Sequence, residues 1–344
     1  MRIIIDDKIP YIREAASALG DAIYLPGSEI SAADVRNADA LIVRTRTRCD
    51  RELLQGSQVQ MVATATIGFD HIDTAYLQQA GIAWTNCPGC NADSVAQYVQ
   101  SALYLLQDEG YISLSDAVVG IVGIGHVGSS VERKLHEMGC TILRHDPPRA
   151  ERGETGFVGM DEIVRRCDVI TFHTPLTRQG AHPTYHMADA TFFASLQRKP
   201  VIINAARGEV VNQVALKQAL QQGKVCAAVI DTWENEPCID RALLECTFLA
   251  TPHIAGYSAD GKANGTRMAL QAVAQHFNIP FTAEILPPQL PNGYAYYPEK
   301  FNPQHPHSAA LRLYDPRRDS DALKQHPEWF EKLRGNYPLR RESF

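Results

Sequence analysis

Short apolar runs recur along the first 66 residues, with more polar stretches between them, and this pattern predicts strands separated by helices. The apolar runs with the length of buried strands are residues 2–6 (RIIID), 21–25 (DAIYL), 38–44 (ADALIVR) and 58–66 (QVQMVATAT). Between the first two, residues 11–20 (YIREAASALG) have helical spacing and end on glycine. Strands that alternate with helices predict a parallel α/β sheet in a first lobe.

A second series of the same kind begins after a strongly helical stretch at residues 92–106. Residues 117–139 change from a continuous apolar run to helical spacing. The further strand candidates are residues 141–146, 168–173, 200–206, 227–233 and 247–253. Helical stretches, among them residues 160–167 and 213–223, separate several of these runs, which predicts a second α/β lobe.

The end of the chain has a different texture. Residues 260–277 have helical spacing, and we expect this helix to return the chain to the first lobe. Beyond Ile279 the sequence is proline-rich and loop-like, and a charged, partly helical tail follows. We therefore expect one domain from residues 1–92 and 257–282, a second from 93–256, and a third from 283–344.

Composition narrows the class of protein. At 344 residues the chain is too long for one comfortable core, and with 45% hydrophobic and 21% charged residues it has the profile of a globular enzyme or binding protein. A net charge of −6 argues against a general role on nucleic acid or on a membrane surface. No signal peptide and no long apolar stretch is present, so we expect a cytoplasmic protein.

A glycine-rich loop predicts a dinucleotide site. Gly123, Gly125 and Gly128 have G-x-G-x-x-G spacing directly after an apolar run and open an amphipathic helix. The first glycine makes the turn, the second lets the backbone approach a diphosphate, and the third lets helix pack on strand. Asp146 ends the next strand candidate, where a carboxylate accepts hydrogen bonds from ribose hydroxyls and repels a 2′-phosphate. The sequence therefore predicts NAD rather than NADP.

Three titratable or charged side chains follow three successive apolar runs. Arg207, Glu236 and His253 lie just past residues 200–206, 227–233 and 247–252, at the strand ends where α/β proteins bind ligands. A guanidinium grips a carboxylate, a histidine takes a hydroxyl proton, and a carboxylate orients that histidine. This is the set that oxidation of a 2-hydroxy acid requires. Each residue alone is better explained as structural, and their joint placement behind the glycine loop reverses that.

The blocks NAARGEVV, IDTWENEP and TPHIAGY resemble the signatures of the D-isomer-specific 2-hydroxyacid dehydrogenase family. The resemblance implies a Rossmann-type NAD-binding domain inserted in a flavodoxin-like substrate domain, followed here by a small C-terminal α+β dimerisation domain. It implies Arg207, Glu236 and His253 as the catalytic residues. It implies cofactor contacts at Gly123, Gly125, His126, Val127, Gly128, Asp146, Thr174, Ala205, Ala206, Asp231 and Gly256.

Further stretches, among them DDKIPY, PGCNA and YDPRRD, narrow the match to a member that oxidises a phosphorylated 2-hydroxy acid and forms a homodimer. The substrate contacts implied are Arg44, Thr45, Arg46, Thr66 and Tyr257. Arg44 and Arg46 belong to an arginine run, VRTRTRCD, that supplies a phosphate clamp whether the strand continues or turns.

Two departures from the family pattern stand out. Thr64 replaces a frequent arginine, and Gln97 replaces a usual glutamate in the helix at residues 92–106.

Other functions remain open at this point. A family member that acts on a phosphorylated acid one carbon shorter shares the mechanism, and an NAD-sensing corepressor on the same fold would act through protein–protein contacts. Cys87 and Cys90 form a Cys-x-x-Cys spacing typical of a redox couple or half a zinc site. No second such pair appears, so we interpret this stretch as a turn into the following helix and predict no metal.

Overall fold

A computed structural model describes residues 1–343, which form two compact units. The first unit comprises Met1–Asn91 and Ser258–Gln289, and the second comprises Ala92–Tyr257 and Leu290–Phe344. The second unit is thus inserted in the first, as the resemblance implies. The functional roles expected of these units stay predictions. No helix within residues 1–343 is long and apolar enough to cross a membrane.

The first unit is a five-stranded parallel sheet with the strand order β2-β1-β3-β4-β5. Its strands are β1 (Arg2–Asp6), β2 (Asp21–Leu25), β3 (Ala40–Val43), β4 (Met61–Thr64) and β5 (Ala83–Thr85). Its helices are α1 (Arg13–Ser17), α2 (Ala32–Val35), α3 (Arg51–Leu54), α4 (Thr74–Ala80) and α12 (Ala259–His276), numbered in chain order. This order is that of flavodoxin-like folds, so the predicted fold class is confirmed for this unit.

Both faces of this sheet are covered by apolar side chains, which explains why its strands are continuous apolar runs rather than alternating ones. One face packs with α12 through a cluster that includes Ile3, Ile5 and Leu270, and the other through a cluster that includes Ile4, Leu41 and Leu77. The helix predicted from the spacing of residues 260–277 is α12, and it belongs to the first unit.

The second unit is a six-stranded parallel sheet with the order β11-β10-β9-β8-β6-β7. Its strands are β6 (Val118–Val122), β7 (Thr141–His145), β8 (Val169–Phe172), β9 (Val201–Asn204), β10 (Ala227–Ile230) and β11 (Leu249–Ala250). Its helices before the tail are α5 (Ala92–Asp108), α6 (His126–Glu137), α7 (Pro147–Glu151), α8 (Met160–Arg166), α9 (Ala190–Ser195), α10 (Gln213–Gln221) and α11 (Arg241–Cys246).

The edge beyond β7 departs from the complete Rossmann order. There a single parallel bridge joins Arg144 to Phe157, in the place where that order puts a further strand. The strand order reverses between β6 and β8, and ligands bind at such a reversal, outside the carboxyl ends of the strands.

The structure of the tail differs from the α+β domain predicted for residues 283–344. Its regular elements within residues 283–343 are all helical: α13 (Ser308–Leu313), α14 (Arg317–Gln325), α15 (Phe330–Gly335) and two short 3₁₀ turns. The α+β character expected of a C-terminal domain is therefore wrong. Prolines recur through residues 287–338, and proline cannot donate to a strand ladder. The structure groups Leu290–Phe344 with the NAD-domain sequence rather than as a separate unit.

Candidate active site

The three glycines of the loop between β6 and α6 meet three different physical demands. Gly123 has φ +91°, a conformation that side chains disfavour. A Cβ on Gly128 would lie 2.0 Å from the Gly123 carbonyl oxygen, so only glycine lets α6 approach β6 this closely. Gly125 has an ordinary φ of −80°, and a Cβ there would meet nothing within 4 Å. No contact within the protein requires glycine at position 125. The absence of a side chain there leaves the space above its Cα open.

The first turn of α6 fits an anion. Gly125 is its N-cap and offers no side-chain hydrogen bond, so the free N–H groups at this helix start have no side-chain acceptor from the cap. His126, Val127 and Gly128 are the first three residues of the helix. Across the loop, the buried Thr174 Oγ1 has no hydrogen-bond partner among the described residues 1–343. An open cradle, an uncapped helix start and an orphaned hydroxyl together fit the diphosphate of a dinucleotide.

Asp146 lies at the end of β7, where the sequence places the ribose acid. One carboxylate oxygen accepts from Ile124 N–H at 2.8 Å in the glycine loop, and the other accepts from Arg149 N–H at 3.1 Å. Of the two nearby arginines, Arg149 pairs with Glu154 and donates to the Ile124 carbonyl in the glycine loop, and Arg144 donates to the Gly156 carbonyl at 3.2 Å. These contacts occupy donors of both guanidinium groups, and the Asp146 carboxylate beside them repels a 2′-phosphate, which agrees with NAD.

Glu236 and His253 form the central pair of the site. His253 Nδ1 lies 2.8 Å from Glu236 Oε2 and 3.1 Å from Oε1, and Oε1 also accepts from Trp233 N–H at 2.9 Å. Burial opposes ionisation of Glu236 and would raise its pKa. The hydrogen bond to His253 and the charge of that ring more than offset burial, so the pKa of the carboxyl lies below its usual range. An ionised Glu236 accepts Nδ1–H, and this leaves Nε2 as the basic nitrogen of the ring.

The loop after β11 holds His253 in a conformation that the sequence does not reveal. His253 has φ +56°, an uncommon value for a residue with a side chain. Its N–H donates to the Asp231 carbonyl at 2.8 Å, and the Asp231 carboxylate accepts from Ile254 N–H at 2.7 Å and Ala255 N–H at 3.0 Å. Such strain persists where surrounding contacts over-determine the backbone. Asp231, the predicted nicotinamide contact, is 1% exposed and anchors this loop.

Arg207 follows β9, beside the strand that leads to Glu236. The buried Asn204 side chain fixes the turn: it accepts from Ala206 N–H at 3.2 Å and donates to the Arg207 carbonyl at 3.0 Å. A Cβ on Gly208 would lie 2.0 Å from the Trp233 carbonyl oxygen, so this glycine lets the Arg207 turn contact the chain that leads to Glu236. The exposed guanidinium donates only to the neighbouring Ala206 carbonyl, at 2.8 Å, among its hydrogen bonds within residues 1–343.

A residue of the tail, Arg334, lies near this pair, and no sequence pattern predicts it. Arg334 of α15 donates to the Tyr257 hydroxyl at 3.3 Å, and its charge is among the causes that lower the Glu236 pKa, after His253 and the Trp233 N–H. The buried Nε of Arg334 has no hydrogen-bond partner within residues 1–343. Tyr257, a predicted substrate contact, also packs edge-on against Tyr337 of the tail. Arg334 could not be found from motifs, because it belongs to a segment without one.

In the first unit the arginine run leaves the sheet. β3 ends at Val43, and residues 45–47 turn, so the strand does not continue through the run. Arg44 donates to the Lys8 carbonyl at 3.0 Å, next to the end of β1, at the point where the strand order of this sheet reverses. Thr45 and Arg46 are exposed, whereas Arg48 pairs with Asp50 at 2.9 Å.

A second cation of this unit was missed. Lys262, in the first turn of α12, has a pKa lowered by burial and, secondarily, by the charge of Arg44. Two cations held within electrostatic reach of each other are favourable where an anion binds between them. The only sequence signal is a lysine near the start of the predicted helix at residues 260–277.

The loop after β4 is fixed by its hydroxyls. Thr66, a predicted substrate contact, donates to the Gly68 carbonyl at 2.9 Å, and its hydroxyl lies 2.7 Å from that of Thr64. Thr64 is fully buried and also contacts His71 Nε2 at 3.0 Å. The threonine that replaces the family's arginine is therefore an internal brace of this loop.

Cys87 of the Cys-x-x-Cys pair is a buried thiol. Neither Cys87 nor Cys90 forms a disulfide, and burial raises the pKa of Cys87 to about 12, so the Cys87 thiol is protonated at neutral pH. Cys87 Sγ donates to the Thr64 and Gly265 carbonyls. No group of three or more metal-ligating side chains that could hold an ion occurs within residues 1–343. The pair lies in the turn between β5 and α5, as its sequence context predicts.

Comparison with known proteins agrees with this geometry. Residues 91–255 match the family model for the D-isomer specific 2-hydroxyacid dehydrogenase, NAD binding domain. A relative named erythronate-4-phosphate dehydrogenase, from Bacteroides fragilis, is 54% identical over 100% of this chain and 97% of its own length. One of the same name from Bacteroides thetaiotaomicron is 52% identical over the same shares. The chain belongs to the D-isomer specific 2-hydroxyacid dehydrogenase family.

A solved structure supports the fold of this family member. NAD-bound 3-phosphoglycerate dehydrogenase of Entamoeba histolytica superposes with a TM-score of 0.66 at 23% identity, covering 83% of this chain and 99% of its own. As a member of the family the chain is an NAD-dependent dehydrogenase, and NAD is its cofactor. The recognition made from the three signature blocks is confirmed.

Proposed function

We propose that this dehydrogenase oxidises 4-phospho-D-erythronate at C2 to 3-hydroxy-2-oxo-4-phosphooxybutanoate, with NAD as the acceptor. The full-length relatives with this name support the substrate. The observation that carries the chemistry is the pairing of His253 Nδ1 with the Glu236 carboxylate at 2.8 Å.

The pair is built for removal of a hydroxyl proton. With Nδ1–H donated to Glu236, Nε2 of His253 accepts the proton of the C2 hydroxyl as the carbonyl forms. The carboxylate then stabilises the imidazolium, because the opposite charge lies in direct contact with the ring. NAD, when bound, would supply the acceptor for the hydride of C2, so that the hydroxy acid would lose one hydride and one proton. Gly125, the α6 start, Thr174 and Asp146 are the residues that would hold it.

Arg207 is proposed to bind the C1 carboxylate. Its guanidinium is exposed and makes a single hydrogen bond, to Ala206, among those within residues 1–343, so most of its donors are available to a ligand. A two-pronged contact with the carboxylate also polarises the adjacent C2 oxygen. Asn204 and Gly208 hold the turn that presents it.

The phosphate is proposed to bind to the first unit. Arg44, Thr45 and Arg46 were predicted for this role from resemblance, and the proximity of Lys262 to Arg44 adds a second cation. Thr66 and Tyr257 stay predicted substrate contacts. Clustered cations favour a dianionic ligand over a neutral hydroxyl group.

The experiment that tests this function compares two phosphorylated acids. NADH formation is followed with 4-phosphoerythronate and with 3-phosphoglycerate at equal concentrations. We expect turnover of the first with a kcat/KM at least about tenfold higher, a discrimination of about 1.4 kcal/mol. Higher kcat/KM for 3-phosphoglycerate would transfer the assignment to the shorter acid. No turnover of either would favour the corepressor.

Three further expectations stay predictions. These are a homodimer formed through the C-terminal segment, a cytoplasmic location, and a place for the reaction in pyridoxal 5′-phosphate (vitamin B6) biosynthesis. No nucleic-acid or membrane partner is proposed.

A further inference from the structure

Arg340 in the C-terminal segment is buried to an extent unusual for arginine. Only 1% of it is exposed, and its guanidinium lies over the Tyr314 ring, 3.6 Å from the centroid. Nε donates to Gln97 Oε1 at 2.8 Å, and Nη2 donates to the Ser94 carbonyl at 2.5 Å. A buried cation with this many fixed hydrogen bonds holds its partners in one arrangement.

The remaining donor connects Arg340 to the catalytic loop. Nη1 donates to the Ile254 carbonyl at 3.3 Å and the Ala255 carbonyl at 3.2 Å. These are the two residues directly after His253, and their N–H groups are the ones held by Asp231. The peptide groups beside His253 are thus gripped from both sides, by a carboxylate on their N–H groups and by a guanidinium on their carbonyls.

We propose that Arg340 is a positioning residue that holds the His253 loop in its catalytic conformation. The inference rests on the proposed role of His253 as the base. His253 has φ +56°, and a strained residue keeps its conformation only while its neighbours enforce it. Loss of the guanidinium leaves two buried carbonyls without this donor and releases the side of the loop that Asp231 does not hold.

Gln97 completes the arrangement and accounts for a departure from the family pattern. Its Oε1 accepts from Arg340 Nε, while its Nε2 donates to the Arg341 carbonyl at 2.9 Å. A glutamate at this position accepts the first bond but has no proton for the second when ionised. Glutamine therefore suits a helix that must fix both the side chain and the backbone of the segment carrying Arg340.

The first test needs no substrate. Amide hydrogen exchange is measured in the NADH-bound, full-length enzyme and in its Arg340→Lys variant. We expect exchange at Ile254 and Ala255 to rise about tenfold or more, because lysine cannot span both carbonyls and the Gln97 amide. Exchange at the two amides equal to that of the wild type would overturn the clamp.

The second test measures catalysis against a matched control. Arg318 is also a tail arginine that donates to a backbone carbonyl, that of Tyr296, and stacks on the Tyr296 ring. We expect Arg340→Lys to lower kcat about tenfold to a hundredfold, with the KM for the acid and the Kd of NADH within about twofold, since small displacements of a catalytic group act mainly on kcat. Arg318→Lys should leave kcat unchanged. Equal losses in the two variants would show a general structural role and refute the proposal.

A pair of variants at Gln97 keeps the proposal testable if Arg340→Lys does not fold. Gln97→Glu keeps the acceptor for Arg340, and Gln97→Leu removes it. We expect a larger kcat loss and faster Ile254 exchange in Gln97→Leu than in Gln97→Glu, and the reverse order would contradict the clamp. An inactive wild type would refute the proposed function, and the exchange measurements would then still decide whether Arg340 holds the loop.

Discussion

Glu236 Oε2 lies 2.8 Å from His253 Nδ1, and this contact fixes which ring nitrogen faces the chemistry. The carboxylate is ionised because His253, the Trp233 N–H and Arg334 together lower its pKa against the opposing effect of burial. The pair joins two segments that follow neighbouring strands, β10 and β11. The contact with Glu236 thus orients the His253 ring so that Nε2 can act as a base.

Glu236→Gln tests the orientation. An amide can donate as well as accept, and it no longer stabilises the imidazolium, so we expect kcat to fall roughly a hundredfold, at the lower end of the range for general acid–base catalysis. The Kd of NADH, measured by fluorescence titration, should stay within about twofold. A kcat within about threefold of the wild type would remove Glu236 from the mechanism.

Gly125→Ala and Gly128→Ala separate cofactor binding from folding. A methyl group at position 125 meets nothing within 4 Å in the protein, and the φ of this residue is one that alanine adopts readily. The melting temperature should therefore not change. The same methyl occupies the space proposed for the diphosphate, so we expect the Kd of NADH to rise about tenfold or more, at about 1.4 kcal/mol per tenfold.

The Gly128→Ala variant is the contrasting case. Its new Cβ would lie 2.0 Å from the Gly123 carbonyl oxygen, so α6 must move and the melting temperature should fall. Unchanged NADH affinity in Gly125→Ala, or unchanged stability in Gly128→Ala, would contradict the separate roles given to the two glycines.

Arg44→Met tests the phosphate contact in the first unit. We expect the KM for 4-phosphoerythronate to rise roughly tenfold to a hundredfold, equivalent to about 1.4 to 2.8 kcal/mol. Arg48→Met is the control, because Arg48 pairs with Asp50 and is largely exposed. Erythronate without the phosphate should be processed equally poorly by the wild type and Arg44→Met. A KM increase of the same size in Arg48→Met would argue against a specific phosphate site.

Asp319→Asn tests a network in the tail that loses stability as pH rises. Burial raises the pKa of Asp319 to about 6, although hydroxyls of Tyr296, Tyr314 and Tyr337 donate to it and Arg340 lies nearby. Because the folded pKa is raised, the folded state binds the proton more tightly than the unfolded chain. Its contribution to stability is therefore full below the unfolded pKa near 4 and is lost as pH rises through 6.

The expected size follows from that difference. Between pH 5 and pH 7 the free energy of unfolding of the wild type should fall by about 1 kcal/mol from this group, and Asp319→Asn should lack that decrease. Urea unfolding at the two pH values measures it. The control is Asp321→Asn, which removes a partly exposed carboxylate paired with Lys300 in the same segment. Equal pH dependence in the wild type and Asp319→Asn would show that Asp319 does not titrate as described.

Much of the fold could be predicted because most of its strands are buried on both faces, the exceptions being β2, β5 and β7. Runs such as residues 2–6 and 200–206 are continuous apolar segments, and a parallel sheet demands this pattern. The glycine loop and the strand-end residues Glu236 and His253 follow from the same regularity, since the carboxyl ends of parallel strands share one edge. The catalytic residues at that edge can therefore be predicted from their positions directly after the strands.

The contacts made by the tail could not be predicted in this way. Arg340 donates to carbonyls of Ser94, Ile254 and Ala255, and backbone acceptors leave no side-chain signature. The left-handed backbone conformation of His253 likewise could not be predicted, because neither histidine nor the residues beside it in sequence favour a positive φ. The proximity of Lys262 to Arg44 depends on how α12 returns to the sheet, which periodicity does not specify.

Deuterium transfer from C2 tests the central claim most directly. 4-Phosphoerythronate deuterated at C2 is mixed with excess enzyme and NAD in a single turnover, and the reduced cofactor is analysed by mass spectrometry. We predict one deuterium in the reduced cofactor for the wild type. His253→Ala should form this product at least about a hundredfold more slowly while binding NADH normally. Reduced cofactor without deuterium, or equal rates in the two proteins, would contradict the account.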